Sequence, residues 1–170
     1  MIDLIVGHVN VGHPKRYSPL VAGHDYDPPQ RVRRMPSWLF GQASHRAQTL
    51  VSEALAQEGM RRQHFTVLTS LSEQGEASQA ALGRRLWIDR SDLHAIVGEL
   101  ERAGLIARVR DPADRRRNVV TITSAGKSTL KRLDALIDRA QRELVAPLTA
   151  SERRELTQLL KRLIPEAPVG

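Results

Sequence analysis

Apolar residues recur every three to four positions along most of this chain, and that spacing predicts a series of amphipathic helices. The first predicted helix begins at about Ser37, whose hydroxyl can cap it, and Gly59 ends it. A second predicted helix ends at Gly75. Two shorter helices are predicted over residues 78–87 and 89–104, and each opens with a residue type that caps helix N-termini.

Two longer amphipathic segments occupy the C-terminal part of the chain. Residues 124–146 place leucine and isoleucine at alternating spacings of three and four, and Pro147 must end that helix. Thr149 and Glu152 then have the spacing of a capping box, in which each side chain accepts a hydrogen bond from the other residue's backbone N–H. The pattern therefore predicts a mainly helical protein.

Residues 105–123 depart from the helical spacing. β-Branched and apolar residues lie on both sides of Pro112, which predicts two strands joined by a tight turn. The turn carries two aspartates, Asp111 and Asp114, and three consecutive arginines, Arg115, Arg116 and Arg117. Like charges on a short loop repel one another, so we expect an anionic partner, and the narrow minor groove of DNA suits an arginine-tipped ribbon. A solvated basic hairpin is the alternative interpretation.

The two short helices before this ribbon meet at a tight turn, residues 87–89, which predicts a helix–turn–helix. The second of them has one apolar stripe that must face the core, so the polar residues at its N-terminal end stay exposed. In such motifs that end contacts base edges in the major groove. The expected major-groove residues are Arg90, Ser91, His94 and Ala95. The residues expected at the DNA backbone are Ser78, Arg84 and Arg85.

The chemistry of the exposed residues fits base contacts. Arg90 can bind guanine O6 and N7 or a phosphate, Ser91 can donate to either, and the Ala95 methyl can pack on thymine. The helix N-terminus adds partial positive charge. A simpler interpretation leaves Arg90 as a solvated surface residue and His94 as an exposed imidazole without a role. Asp92 opposes DNA binding, because its carboxylate repels phosphates.

Composition narrows the function classes. The 170 residues carry a net charge of +7, from 26 basic and 19 acidic residues. All but four of the basic residues are arginine, which favours nucleic acid, although a GC-rich genome would also enrich arginine. The absence of cysteine excludes disulfides and thiolate chemistry. No nucleophile-elbow, phosphate-loop or zinc-protease spacing occurs, so we expect neither an enzyme nor a cofactor.

Residues 1–36 differ from the rest because they hold five of the nine prolines and lack helical spacing. We predict an irregular extension, either disordered or docked on a partner subunit. Its histidines, His8, His13 and His24, form no close ligand pair, so no metal site is expected. No apolar run is long enough for a membrane span or a signal peptide, and a cytoplasmic location is therefore expected.

Several motifs together resemble one family. They are Ile-Asp-Arg-Ser at residues 88–91, Leu-Glu-Arg-Ala-Gly-Leu-Ile at 100–106, Asp-Pro-Ala-Asp-Arg-Arg-Arg at 111–117 and Ile-Thr-Ser-Ala-Gly at 122–126. Over residues 37–164 the chain resembles the MarR (multiple antibiotic resistance regulator) family, and the Asp-x-Arg turn followed by Thr-x-x-Gly is the most specific part. That family consists of homodimeric winged-helix transcription regulators, often repressors relieved by small aromatic or phenolic ligands.

The resemblance implies a fold of the mainly α (α+β) class. Residues 60–123 would form a winged-helix DNA-binding domain, and residues 37–58 and 124–164 a helical dimerisation region. Asp114 would orient Arg116, which enters the minor groove. The sequence departs from the family at Asp92, where a small polar residue is usual, and in the N-terminal extension. Asp92 also supports an alternative function, a winged-helix protein-interaction module that does not bind DNA.

The terminal helices favour a homodimer, because their apolar faces are too large for one small winged-helix core; a monomeric helical bundle is the alternative. A two-fold dimer would bind a palindromic site. The family's ligand crevice lies where the dimer helices meet the winged domain. The candidate ligand-binding residues are Trp38, His45, Arg46, His64 and Phe65. Arg46 with either histidine could bind a carboxylate or phenolate, although interface packing or structural hydrogen bonding would equally explain these residues.

Overall fold

The computed structural model describes residues 28–110 and 118–164, and the chain divides into two compact units, residues 1–45 and 46–170. The elements are α1 (Gln30–Arg33), α2 (Pro36–Ala56), α3 (Arg62–Gln74), α4 (Gln79–Leu86), α5 (Arg90–Arg102), β1 (Ile106–Arg110), β2 (Asn118–Ile122), α6 (Ser124–Leu144) and α7 (Ala150–Leu163). Helices dominate, with one two-stranded antiparallel sheet after α5. This arrangement confirms the predicted winged-helix fold.

The described part of the first unit contains α1 and the beginning of α2. Helix α1 lies within the segment that we expected to be irregular, and Pro29 is its N-cap residue, with φ −51° and ψ 146°. At the first position inside a helix proline is favourable, because its fixed φ suits a helix start and its missing N–H needs no partner. Helix α2 begins at Pro36 for this reason, so Ser37 lies inside the first turn and does not cap the helix.

The core of the second unit is formed by residues of α2 to α6 and of both strands. Its largest fully buried side chains are Leu55, Leu68, Leu82, Leu93, Leu100, Leu133, Val67 and Val97. Apart from Val67, these residues lie on the apolar stripes that the sequence spacing predicts. Helix α3 packs against α6 and against β2, which holds the helix–turn–helix and the ribbon on a common support.

The ribbon is joined to the helices by backbone hydrogen bonds. Strand β1 pairs antiparallel with β2 in the register Ile106 to Ile122 and Arg110 to Asn118. Ala77, just before α4, makes an isolated bridge to Val120, with N–O distances of 2.8 and 3.2 Å. The short segment between α3 and α4 therefore acts as a third strand position and ties the ribbon to the helix–turn–helix.

The Thr-x-x-Gly motif forms the joint between the ribbon and α6. The Thr123 hydroxyl donates to the carbonyl oxygen of Gly104 at 2.8 Å and accepts from the Gly126 N–H at 3.0 Å. A Cβ at position 126 would lie 2.0 Å from the carbonyl oxygen of Leu105. Only glycine lets the first turn of α6 approach the ribbon this closely.

The last two helices have the ends that their caps predict. Helix α7 begins with the predicted capping box between Thr149 and Glu152, with N–O distances of 2.7 and 3.3 Å. Helix α6 ends at Leu144, ahead of Pro147.

No helix in the described ranges combines the length and apolar character needed to cross a membrane.

Candidate nucleic-acid interface

Helices α4 and α5 form the predicted helix–turn–helix. The Ser78 hydroxyl caps α4 by accepting from the Ala81 N–H at 3.2 Å. The Ile88 N–H donates to the carbonyl oxygen of Gly83 at 3.1 Å and closes the turn. Gly83 allows close packing here, because a Cβ would lie only 3.3 Å from Ile88 O and from a Leu93 methyl. This packing fixes the angle at which α5 leaves α4.

The four predicted major-groove residues are all exposed on the N-terminal half of α5. They are Arg90, Ser91, His94 and Ala95. On the opposite side of the helix Leu93, Ile96, Val97 and Leu100 are buried in the core. The helix therefore presents a polar, cationic end to solvent while its apolar stripe holds it in place.

Asp89 caps the N-terminus of α5 and determines whether the Ser91 hydroxyl can act as a donor or as an acceptor. The Asp89 carboxylate accepts from the Ser91 backbone N–H at 2.8 Å and from the Ser91 hydroxyl at 2.5 Å. These hydrogen bonds from Ser91 lower the pKa of Asp89. Since the hydroxyl proton is donated to Asp89, Ser91 presents lone pairs to a partner. As an acceptor, Ser91 suits the amino groups of cytosine or adenine. This differs from the sequence-based expectation, in which the Ser91 hydroxyl donates a hydrogen bond.

The three expected backbone residues differ in their surroundings. Ser78 is half-buried, and its hydroxyl is already an acceptor within α4. Arg84 is exposed beside the turn. Arg85 is exposed too, and its Nη1 lies 3.4 Å from the Ser70 hydroxyl on α3. Arg84 is thus the better placed of the two arginines for a phosphate.

A groove runs along this surface between α4 and the start of α5. It is lined by Gln79, Ala80, Gly83, Arg84, Trp87, Ile88, Asp89, Arg90, Ser91, Leu93 and His94. Gln79 Nε2 lies 3.4 Å from His94 Nδ1 and joins the two helices across it. The sequence analysis did not predict that Gln79 and Trp87 belong to this surface. Apolar spacing gives no sign that a tryptophan in the turn is exposed.

The ribbon adds two exposed arginines on β1. Arg108 Nε lies 3.4 Å from a Glu101 carboxylate oxygen, and Arg110 ends the strand. The predicted wing residues Asp114, Arg115, Arg116 and Arg117 lie outside the described residues. Their role therefore stays a prediction.

A buried histidine links α3 to α5. His64 Nδ1 accepts from the Arg61 backbone N–H at 3.2 Å, so the imidazole proton is on Nε2, which lies 2.8 Å from the Glu99 carboxylate. The Arg61 guanidinium also pairs with Glu99. The hydrogen bonds from His64 and then Arg61 lower the pKa of Glu99. This cluster, Arg61–His64–Glu99, fastens the C-terminal half of α5 to α3.

The predicted ligand residues fall in both units. In the first unit Trp38 is half-buried, with its indole nitrogen buried and without a hydrogen-bond partner in the described chain, and His45 is exposed. In the second unit Arg46 is exposed and Phe65 packs against the core. Both ring nitrogens of His64 have the partners given above. The described ranges contain no group of three potential metal ligands among His, Cys, Asp and Glu.

Comparison with known proteins agrees with this geometry. The sequence model of the MarR family matches residues 58–117. A Thauera aromatica protein named for the regulation of the hcr operon is 35% identical over 106 residues, which are 62% of this chain and 64% of that protein. An HTH-type transcriptional repressor of Mycobacterium tuberculosis is 31% identical over 66% of this chain and 81% of its own length.

Among solved structures, the chain is similar to the PcaV transcriptional regulator of Streptomyces coelicolor in complex with its natural ligand. The TM-score is 0.63 at 28% identity, over 81% of this chain and 96% of that one. The range matched by the family model includes the exposed α5 and strand β1. The chain therefore belongs to the MarR family of winged-helix, DNA-binding transcription regulators, which act by binding rather than by catalysis.

Proposed function

We propose that this protein is a transcriptional repressor, which binds a palindromic operator as a homodimer and is released by a small aromatic or phenolic ligand. The observation that carries the proposal is the outward N-terminal end of α5. Arg90, Ser91, His94 and Ala95 are exposed together there, on a helix whose other side is buried. An anchored helix with a free polar end can enter a major groove without unfolding.

The phosphate contacts would come from both sides of that helix. Arg84 lies in the groove before α5, and Arg116 of the wing would enter the minor groove beside it. Each neutralised phosphate releases counterions, so binding should weaken steeply as the salt concentration rises. Asp92 is exposed in the same turn of α5, and its carboxylate would repel a phosphate that came close to it.

The homodimer is supported by apolar surface that the single chain leaves uncovered. Helix α7 has no buried residue, and its apolar stripe is exposed at Leu156, Leu159, Leu160 and Leu163. In the first unit Met35, Leu39 and Phe40 are exposed as well. Stripes of large apolar residues on helices mark interaction surfaces. A second copy of the chain is the partner that would cover the α7 stripe and the exposed apolar residues of the first unit.

The ligand part of the proposal rests on chemistry and on relatives. The PcaV regulator, to which this chain is similar, was crystallised with a natural ligand. Arg46 and His45 are exposed and could bind a carboxylate or phenolate. Trp38, His64 and Phe65 remain the other candidates. His64 would take part through its existing pair with Glu99, since neither of its ring nitrogens is free.

The decisive experiment compares two arginines of the same helix. Genomic fragments retained by the wild-type protein define the operator, and fluorescence anisotropy then measures affinity. We expect Arg90→Ala to lose about 1–3 kcal/mol of binding free energy, and Arg116→Ala to lose affinity with a shallower salt dependence. Arg102→Ala is the matched control. Arg102 is exposed at the far end of α5, where its Nε donates to the Gly98 carbonyl oxygen at 3.2 Å.

Equal losses for Arg90→Ala and Arg102→Ala would contradict a base-contacting end of α5. Retention on DNA-cellulose at low and at higher salt provides the coarser check. A protein that fails to bind DNA-cellulose even at low salt would instead be the interaction module suggested by Asp92.

A further inference from the structure

Trp87 combines two features that cost free energy. Its side chain is 96% exposed, although indole is a large apolar group. Its backbone is left-handed, with φ 53° and ψ 39°, and among the described residues it is the one non-glycine with positive φ. The three other positive-φ residues of that part are glycines, as sterics favour. An unfavourable conformation that displays an apolar side chain suggests a role outside the folded chain.

The position of Trp87 points to the partner. It ends α4, two residues before the Asp89 cap and three before Arg90. It lines the same groove as Arg84, Ser91 and His94. The indole therefore belongs to the surface that faces DNA in the proposed function. It is part of no other interface described above.

We propose that Trp87 is a DNA-backbone contact at the edge of the major groove. This rests on the proposed function and adds a residue to it. When the N-terminal end of α5 enters the groove, the turn that precedes α5 and contains Trp87 comes to the groove wall, which is sugar and phosphate. The indole face packs against a deoxyribose, and Nε1–H, which is a donor only, donates to a phosphate oxygen.

A neutral backbone contact has a distinctive signature. Trp87→Gly should lower affinity about five- to tenfold, because a hydrogen bond to a charged group and its packing are lost. The loss should be equal for operator and unrelated DNA, since the backbone carries no sequence information. The slope of log affinity against log salt should stay unchanged, because no charge is removed, whereas Arg84→Ala should reduce it by about one.

The same substitution separates this role from a structural one. Glycine accepts positive φ without strain, so Trp87→Gly should raise the melting temperature while it weakens DNA binding. A structural tryptophan would show the opposite sign for stability. Trp87→Phe, which keeps the ring and lacks the N–H, should fall between the wild type and Trp87→Gly in affinity.

Fluorescence gives a direct test, because the chain has two tryptophans. Acrylamide quenching is measured for the wild type and for Trp87→Gly, with and without saturating DNA, and the difference isolates Trp87. We expect strong quenching in free protein and marked protection when DNA is bound. Unchanged quenching on saturated DNA, a wild-type affinity for Trp87→Gly, or a lowered melting temperature would each overturn the assignment. Failure of the wild type to bind any DNA would instead overturn the proposed function together with it.

Discussion

Glu99 shows how a single residue can acquire a role that its neighbours in sequence do not suggest. On α5 it is one polar residue among several, yet the fold brings it to His64 of α3 and to Arg61, which precedes α3. His64 is buried, and the partner that satisfies it comes from 35 positions further along the chain. A buried imidazole without that carboxylate would cost free energy.

The lowered pKa of Glu99 makes a prediction about acid stability. A carboxyl group whose pKa is lower in the folded state stabilises the fold above its unfolded pKa, about 4.3, and loses that contribution as pH falls. Glu99→Gln should therefore be less stable than the wild type at pH 7, and the difference should shrink toward pH 3. Urea unfolding at several pH values measures it. Glu155→Gln on exposed α7 is the control, and a gap for Glu99→Gln that does not change with pH would refute the explanation.

For the helices and strands, local sequence predicts where an element begins and ends better than it predicts which other elements that element contacts. The caps at Ser78, Asp89 and Thr149 lie where their residue types indicated, because each hydroxyl or carboxylate binds the N–H groups of its own first turn. Pro36, rather than Ser37, opens α2, since proline is itself a favourable first helical residue. Such choices depend on a few neighbouring residues.

Helix α7 illustrates an element whose amphipathic pattern has no partner within the chain. We expect the wild-type protein to have twice the chain mass of 19.0 kDa in size-exclusion chromatography with light scattering. Leu160→Glu should shift it toward the single-chain mass, because a charge buried in an apolar interface is strongly unfavourable.

Lys161→Glu is the matched control, since Lys161 lies off the apolar stripe of α7 and its substitution alters charge by more. It should remain a dimer. A wild type that has the mass of one chain, or a Leu160→Glu protein that stays dimeric, would argue for the monomeric bundle.

At the scale of the whole molecule, regulation requires that a ligand and DNA compete through the protein. If an aromatic acid favours a form that binds DNA poorly, its coupling free energy should be about 1–3 kcal/mol, which weakens operator binding about five- to 150-fold. A panel of hydroxybenzoates, added during anisotropy titrations, measures this effect. Cyclohexanecarboxylate at equal concentration controls for a carboxylate without an aromatic ring. The ligand proposal does not survive if no panel member weakens binding or changes tryptophan emission.

The order and type of most elements, the apolar stripe of α5 and the motifs of the family could be predicted from the amino-acid sequence. These features depend on residues close together in the chain, where spacing and capping chemistry act directly. Its fold class and its membership in a DNA-binding family were predictable for the same reason.

The hydrogen-bond partners and the exposure of individual side chains follow from the packing of the fold. The Ser91 hydroxyl donates to Asp89, the two ring nitrogens of His64 bind the Arg61 N–H and the Glu99 carboxylate, and the Trp87 indole is exposed to solvent. The packing also brings the Leu105 carbonyl so close to position 126 that no side chain fits there. These outcomes depend on the angles and distances at which separate elements pack, and no local pattern in the chain encodes them.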